Sequence, residues 1–173
     1  LGGGGKVLLD IYASNATLGT HGIGLDLTQT ITGNGESAPI KGSEFNFYVD
    51  TLTSNAGTES GSFLPRKFIG LSVGSESTVN VQATGAVQIN STSNGSLYAA
   101  EKSTAKINAG SITLSANSAN TSFATVVTAT SDGNVELQSD SDITIQNHYQ
   151  RGGTAITVNA AGHVSMMAKN TIN

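Results

Sequence analysis

Four acids fall within the stretch "SDGNVELQSDSDITIQN", residues 131–147. Asp140 and Asp142, with Asp132 and Glu136 near them, offer the oxygen ligands that calcium takes. They also offer the acid pair of a glycoside hydrolase, which needs two carboxyls at a set separation. A simpler role competes with both: Asp140 and Asp142 flank a turn and cap its amides. The tight calcium-binding pattern G-G-x-G-x-D is absent. The corners in equivalent places, "ATGA", "NAGS" and "MAKN", carry no acid. A turn is therefore expected, with calcium at Asp140 and Asp142 kept open as the one cofactor and no catalytic residue assigned.

A second group is the loop "NHYQRGG", where His148, Tyr149 and Arg151 bring rings and a guanidinium together. Exposed aromatics and Arg make efficient contact points for a glycan or a protein. No nucleophile stands beside His148, so a catalytic base is not expected there. The loops "GNGESAPIKGS" and "SNAGTESGSFLPRKF" are long and polar, and the second carries Phe63, Leu64, Arg66 and Phe68. Loops leaving a rigid scaffold are where recognition usually sits, which adds Phe63 and Arg66 to the candidate binding residues. His21, His148 and His163 are too scattered for a zinc site. The glycine run at residues 2–5 leads into a strand-like segment at Lys6, with no P-loop Lys-Ser/Thr after it.

The elements that must position these residues are short alternating strings. From Phe68 onward they run "FIGLSV", "TVNVQA", "AVQINS"; "SLYAAE", "TAKINA", "SITLSA"; "ATVVTA", "NVELQS", "DITIQN"; "TAITVN", "HVSMMA", "TIN". They group in threes, and the joints repeat in a short, short, long order. Val81, Ile107, Leu137 and Met166 recur every ~25–30 residues, a spacing typical of solenoids. Val79, Ala105, Val135 and Val164 precede them by two, and Val87, Ile112, Ile143 and Ile172 follow in step. Ile69, Leu97, Ile156 and, roughly, Val127 recur in the first string. Alternation sends one face of each string inward, so the expected fold is all-β: a right-handed parallel β-helix with three strands per coil and about five to six coils. Ser91, Ser139 and Asn147 sit at inward phase and are expected to stack across coils. The alternative is an antiparallel β-sandwich, for which Asn34-Gly35, Asn94-Gly95 and Asp132-Gly133 supply hairpin signals. Residues 1–5 read as a linker or cloning remnant, 6–66 as irregular N-terminal coils with loop insertions, and 67–173 as regular coils of one continuous solenoid.

Composition narrows the function. Only 12% of the 173 residues are charged, the net charge is −4, and there is no cysteine. Without a basic stripe a nucleic-acid partner lacks electrostatic support. Disulfide frameworks and thiolate metal sites are excluded. No run approaches the ~18 apolar residues of a membrane helix, so insertion of this segment into a membrane is not expected. The chain opens on Leu1 without a signal-peptide pattern and reads as a piece of something longer.

"GNVELQSDSDITIQN" and "AGSITLSAN" resemble the pattern G-x-(V/I)-x-L-x-(A/S)-x-x-(D/S)-I-x-(I/L) in passengers of bacterial autotransporters and filamentous-haemagglutinin-like exoproteins. The resemblance covers about Phe68 to Asn173, and the N-terminal third matches in composition alone. It implies secretion across the outer membrane and display at the bacterial cell surface. There the segment would act in adhesion to host glycans or proteins, or in cell–cell self-association and biofilm formation, and not as an enzyme. Two other functions stay open: a polysaccharide-degrading β-helix enzyme, of lyase or tailspike-like hydrolase type, and a purely structural stalk.

Overall fold

The computed structural model describes residues 8–18, 25–26, 30–31, 37–38, 44–56, 69–91, 95–116, 125–147, 154–158 and 161–173. These form β1 (Leu8–Leu18), β2 (Leu25–Asp26), β3 (Thr30–Ile31), β4 (Ser37–Ala38), β5 (Glu44–Ala56), β6 (Ile69–Val73), β7 (Thr78–Ala83), β8 (Ala86–Ser91), β9 (Gly95–Ala99), β10 (Thr104–Ala109), β11 (Ser111–Ala116), β12 (Thr125–Ala129), β13 (Asn134–Ser139), β14 (Ile143–Asn147), β15 (Thr154–Val158) and β16 (His163–Ala168). The described chain is thus all-β.

Pairing is almost wholly parallel, between segments one repeat apart. A nine-stranded sheet has the order β14-β11-β8-β5-β7-β10-β13-β16, with β1 beside β5, and a five-stranded sheet has the order β15-β12-β9-β6-β2. Each inner strand donates and accepts on both edges, so its main-chain polar groups are satisfied without water. The pairs expected from the alternating strings are the pairs observed: Val79, Ala105, Val135 and Val164 are register partners, as are Val81, Ile107, Leu137 and Met166. Val87, Ile112 and Ile143 follow on the other arm, and Ile143 bridges Ile172.

Two expectations need correction. In the five-stranded sheet the apolar line runs Leu71–Leu97–Val127–Ile156, while Ile69 pairs with Gly95. Both Ile69 and Leu71 have the right parity in "FIGLSV", so alternation alone does not choose between them. Ser91 and Asn147 share one line with Ala116 between them, whereas Ser139 lies on the other arm between Ala109 and Ala168, so none of the three stacks directly on another. The antiparallel sandwich does not hold for the described residues. Their one antiparallel pair is the short β3–β4, which brackets the Asn34-Gly35 signal. Asp132-Gly133 instead joins β12 to β13, which lie in different sheets.

The inward side chains form one continuous core. Phe47, Leu52, Ile89, Leu97, Ile107, Ile112, Leu114 and Ile143 are all at most 1% exposed. Burying each such side chain contributes about 1.5–3 kcal/mol. At the last repeat the same lines are only partly covered: Val164, Met166 and Ala168 are half-buried, and Ile172 is 50% exposed.

The corners explain how unequal repeats stay in register. Between the two sheets the chain turns through Glu76, Lys102, Asp132 and Ala161, each with φ between 55° and 60°. They occupy equivalent places, and none is glycine or asparagine. The turn is closed by Ser77 N–H donating to Gly74 O and Ser103 N–H to Ala100 O. It is tied to its neighbours by Glu76 N–H to Glu101 O and Lys102 N–H to Ser131 O. A left-handed residue costs about 1–2 kcal/mol, offset at Glu76 and Lys102 by main-chain bonds to the next repeat. The corner within the larger sheet varies in length. It is one residue longer between Ser139 and Ile143 than between Ala109 and Ile112. There the Ser139 hydroxyl accepts from Ser141 N–H and shares its one proton between Asp142 O at 3.0 Å and Gly110 O at 3.1 Å, which absorbs the extra residue. In the shorter corner a Cβ on Gly110 would lie 2.7 Å from Thr84 O, so only glycine fits.

The N-terminal segment follows the same rule with a longer strand. β5, of 13 residues, pairs with β7 through its first half and with β8 through its second. It thereby joins the two arms of the large sheet, and β1 lies along it from Leu8↔Glu44 to Leu18↔Ser54.

Candidate functional site

Outward residues in a parallel stack fall into columns, because in-register partners sit about 4.8 Å apart. Two columns stand out on the β1-β5-β7-β10-β13-β16 face. One runs Asp10, Asn46, Asn80, Lys106, Glu136, Ser165; the other runs Tyr12, Tyr48, Gln82, Asn108, Gln138, Met167.

The first column is bonded in two stretches, Asp10–Asn46–Asn80 and Lys106–Glu136. Asn80 Nδ2 donates to Asn46 Oδ1 at 2.7 Å, and Asn46 Nδ2 donates to Asp10 Oδ1 at 2.9 Å and Glu44 Oε1 at 3.0 Å. Lys106 Nζ pairs with Glu136 Oε2 at 3.3 Å, and Asn134 Nδ2 donates to Glu136 Oε1 at 2.7 Å. The Asn134 amide, with Lys106 beside it, holds the Glu136 carboxyl below its ordinary range against the opposing effect of partial burial. Half-exposed pairs of this kind contribute at most about 1 kcal/mol. They order the surface more than they stabilise it.

The second column is where the surface opens. Tyr12 and Tyr48 stack with ring centroids 4.8 Å apart and planes 12° from parallel. Tyr12 is 74% exposed and Tyr48 37%. Beyond Tyr48 lies a groove of about 500 Å³ lined by Tyr48, Val49, Asp50, Gln82, Ala83, Thr84, Asn108 and Asp140. Val49 is buried and Ala83 half-buried beneath it, while the polar lining side chains are exposed. Thr84 Oγ1 donates to Asp50 Oδ1 at 3.2 Å, and Asp140 Oδ1 pairs with Lys169 Nζ at 2.7 Å.

The structure separates the two corner acids. Asp140 faces the groove, whereas Asp142 caps the following turn: its Oδ1 accepts from Thr171 N–H at 3.1 Å and its Oδ2 from Ser141 Oγ at 3.4 Å. Among the described residues no three His, Asp or Glu side chains gather as a metal site. His148, Tyr149, Arg151, Phe63 and Arg66 lie outside the described residues. The tyrosine pair and its groove are a site that the alternating strings did not point to. A signal was present: "DIYA" and "NFYV" align when β1 is set on β5, which places Tyr12 over Tyr48.

Against known proteins, no family model, curated protein or solved structure matches this chain. What the fold and the groove define is a class: an all-β protein of mostly parallel strands with columnar outward faces. No helix among the described residues is long and apolar enough to cross a membrane.

Proposed function

We propose that the chain is a segment of a surface-exposed bacterial adhesin: a right-handed parallel β-helix of three strands per coil and about five to six coils. It attaches to host glycans or proteins, or to another copy of itself in cell–cell contact and biofilm formation. The observation that carries this reading is the pair of outward columns, one hydrogen-bonded in two stretches and one opening into a groove beside an exposed tyrosine stack. A rigid face of regularly spaced amides, hydroxyls and rings suits many weak contacts, and many copies on a surface multiply them. The resemblance of "GNVELQSDSDITIQN" to exoprotein passengers points the same way.

The test is attachment. Beads coated with the chain should bind host-cell glycoprotein layers or aggregate with one another, and free chain in solution should compete. Beads that do neither would leave the stalk reading in its place. A second reading has one observation in its favour: Asp50 and Asp140 line the same groove, as the carboxyls of a glycan-cleaving enzyme would. Asp140 is already ion-paired to Lys169, and the binding reading is preferred. Cleavage of a polysaccharide that is lost in Asp140→Ala would reverse that preference.

A further inference from the structure

We infer that the groove beside Tyr48 is a subsite for an uncharged oligosaccharide, with one sugar ring stacked on Tyr48 and its hydroxyls reaching Gln82 and Asn108. This rests on the adhesin reading and names its ligand class. The asymmetry of the tyrosine pair sets the geometry. Tyr48 lines the groove and Tyr12 does not. Because the rings are stacked nearly parallel, Tyr12 covers one face of Tyr48, and the other is turned along the column toward Gln82 and the groove. An aromatic face offers an apolar surface to the C–H face of a sugar ring, and its hydroxyl adds a polar handle.

The next two steps of the column, Gln82 and Asn108, are exposed amides with no side-chain hydrogen bond to another described residue. Each amide offers donors and acceptors, as sugar hydroxyls require. The column advances by about 4.8 Å per step, so the two amides lie one and two steps beyond the Tyr48 ring, within reach of the hydroxyls of a sugar stacked on it.

Charge then selects among saccharides. Asp50 and Asp140 are the charged groups in the lining, and the nearby Lys169 pairs with Asp140 at 2.7 Å, leaving Asp50 without a cation partner among the described residues. A uronate or sialylated chain would bring a carboxylate against these acids, and like charges at close range are disfavoured. An uncharged chain incurs no such penalty. Tyr12 is a positioning residue that holds the Tyr48 ring upright; Tyr48, Gln82 and Asn108 make the contacts.

The experiment is a titration of the chain with a panel of hexasaccharides: uncharged glucose, galactose, mannose and N-acetylglucosamine oligomers, with uronate and sialylated counterparts. Tyrosine fluorescence reports binding, because the chain has four Tyr and no Trp. At least one uncharged oligomer should bind saturably and more tightly than its charged counterpart. Tyr48→Ala should weaken it by about tenfold or more, the loss of roughly 1.4 kcal/mol, and Tyr48→Phe should keep most of the affinity. Tyr12→Ala should have an intermediate effect, and Asp50→Asn should admit the uronate. The circular dichroism of each variant should match the parent, since these side chains point outward. Binding of no uncharged oligomer, equal binding of charged ones, or full affinity in Tyr48→Ala would overturn the inference. Attachment that persists in the bead assay under any of those results leaves the adhesin reading standing. Oligosaccharide binding without attachment keeps the groove and removes the adhesin.

Discussion

Replacing Phe47 by alanine is expected to destabilise the protein by about 3–5 kcal/mol, while Tyr48→Ala, one residue on, should cost no more than about 1 kcal/mol. Phe47 is 1% exposed and lies in register between Ile11 and Val81, in the line that continues through Ile107 and Leu137. Its removal opens a cavity in β5, the strand that joins both arms of the large sheet. Tyr48 points the other way and loses only its partner ring. A domain of this size is stabilised by only about 5–15 kcal/mol, so the first variant should show a large drop in urea midpoint and the second a small one. The reverse order would mean that the faces of β5 are exchanged.

Gly133→Ala should rank next, at about 2–3 kcal/mol, the upper part of what forced overpacking costs. A Cβ there would lie 2.7 Å from Ala100 O and 2.8 Å from both Ala99 O and Thr130 O. Those carbonyls are not free to retreat. Ala99 O accepts from Thr130 N–H, Ala100 O from Ser103 N–H and Thr130 O from Gly133 N–H. The neighbouring Asp132→Gly should be neutral or gain up to about 1 kcal/mol, because it removes a left-handed aspartate at φ 56° against glycine's greater unfolded freedom. Thermal melts of the two variants should therefore shift in opposite directions or by very different amounts. Equal destabilisation would mean that the corner is held some other way.

Much of this architecture is legible in the strings themselves. Alternation fixes which residues point inward, and the recurrence of Val81, Ile107, Leu137 and Met166 fixes which strings lie side by side. What stays hidden has physical causes. "FIGLSV" holds two apolar residues of the same parity, and only the corner length selects Leu71 over Ile69. The left-handed corner residues Glu76, Lys102 and Ala161 are types that give no turn signal, and at Glu76 and Lys102 the neighbouring repeat holds the backbone through hydrogen bonds. The tyrosine groove depends on setting β1 against β5 across a long polar insertion, and that insertion masks the repeat. The corner acids were visible as a pair, yet one faces a groove and the other caps a turn. One residue of corner length puts Asp140 and Asp142 to different uses.

The columns on which any binding role depends require each strand to lie in register with the strand one repeat earlier. A cysteine-free chain makes this directly measurable. Gln88 and Thr113 are in-register partners on outward faces, whereas Ser115 lies two residues further along the same face. Cα atoms must be about 4.4–6.8 Å apart to form a disulfide, and parallel neighbours about 4.8 Å apart meet that limit. The double variant Gln88→Cys/Thr113→Cys should close under mild oxidation with its circular dichroism unchanged, and Gln88→Cys/Ser115→Cys should stay reduced. Closure of the second pair in preference to the first, or of neither, would contradict the parallel register and the columns built on it.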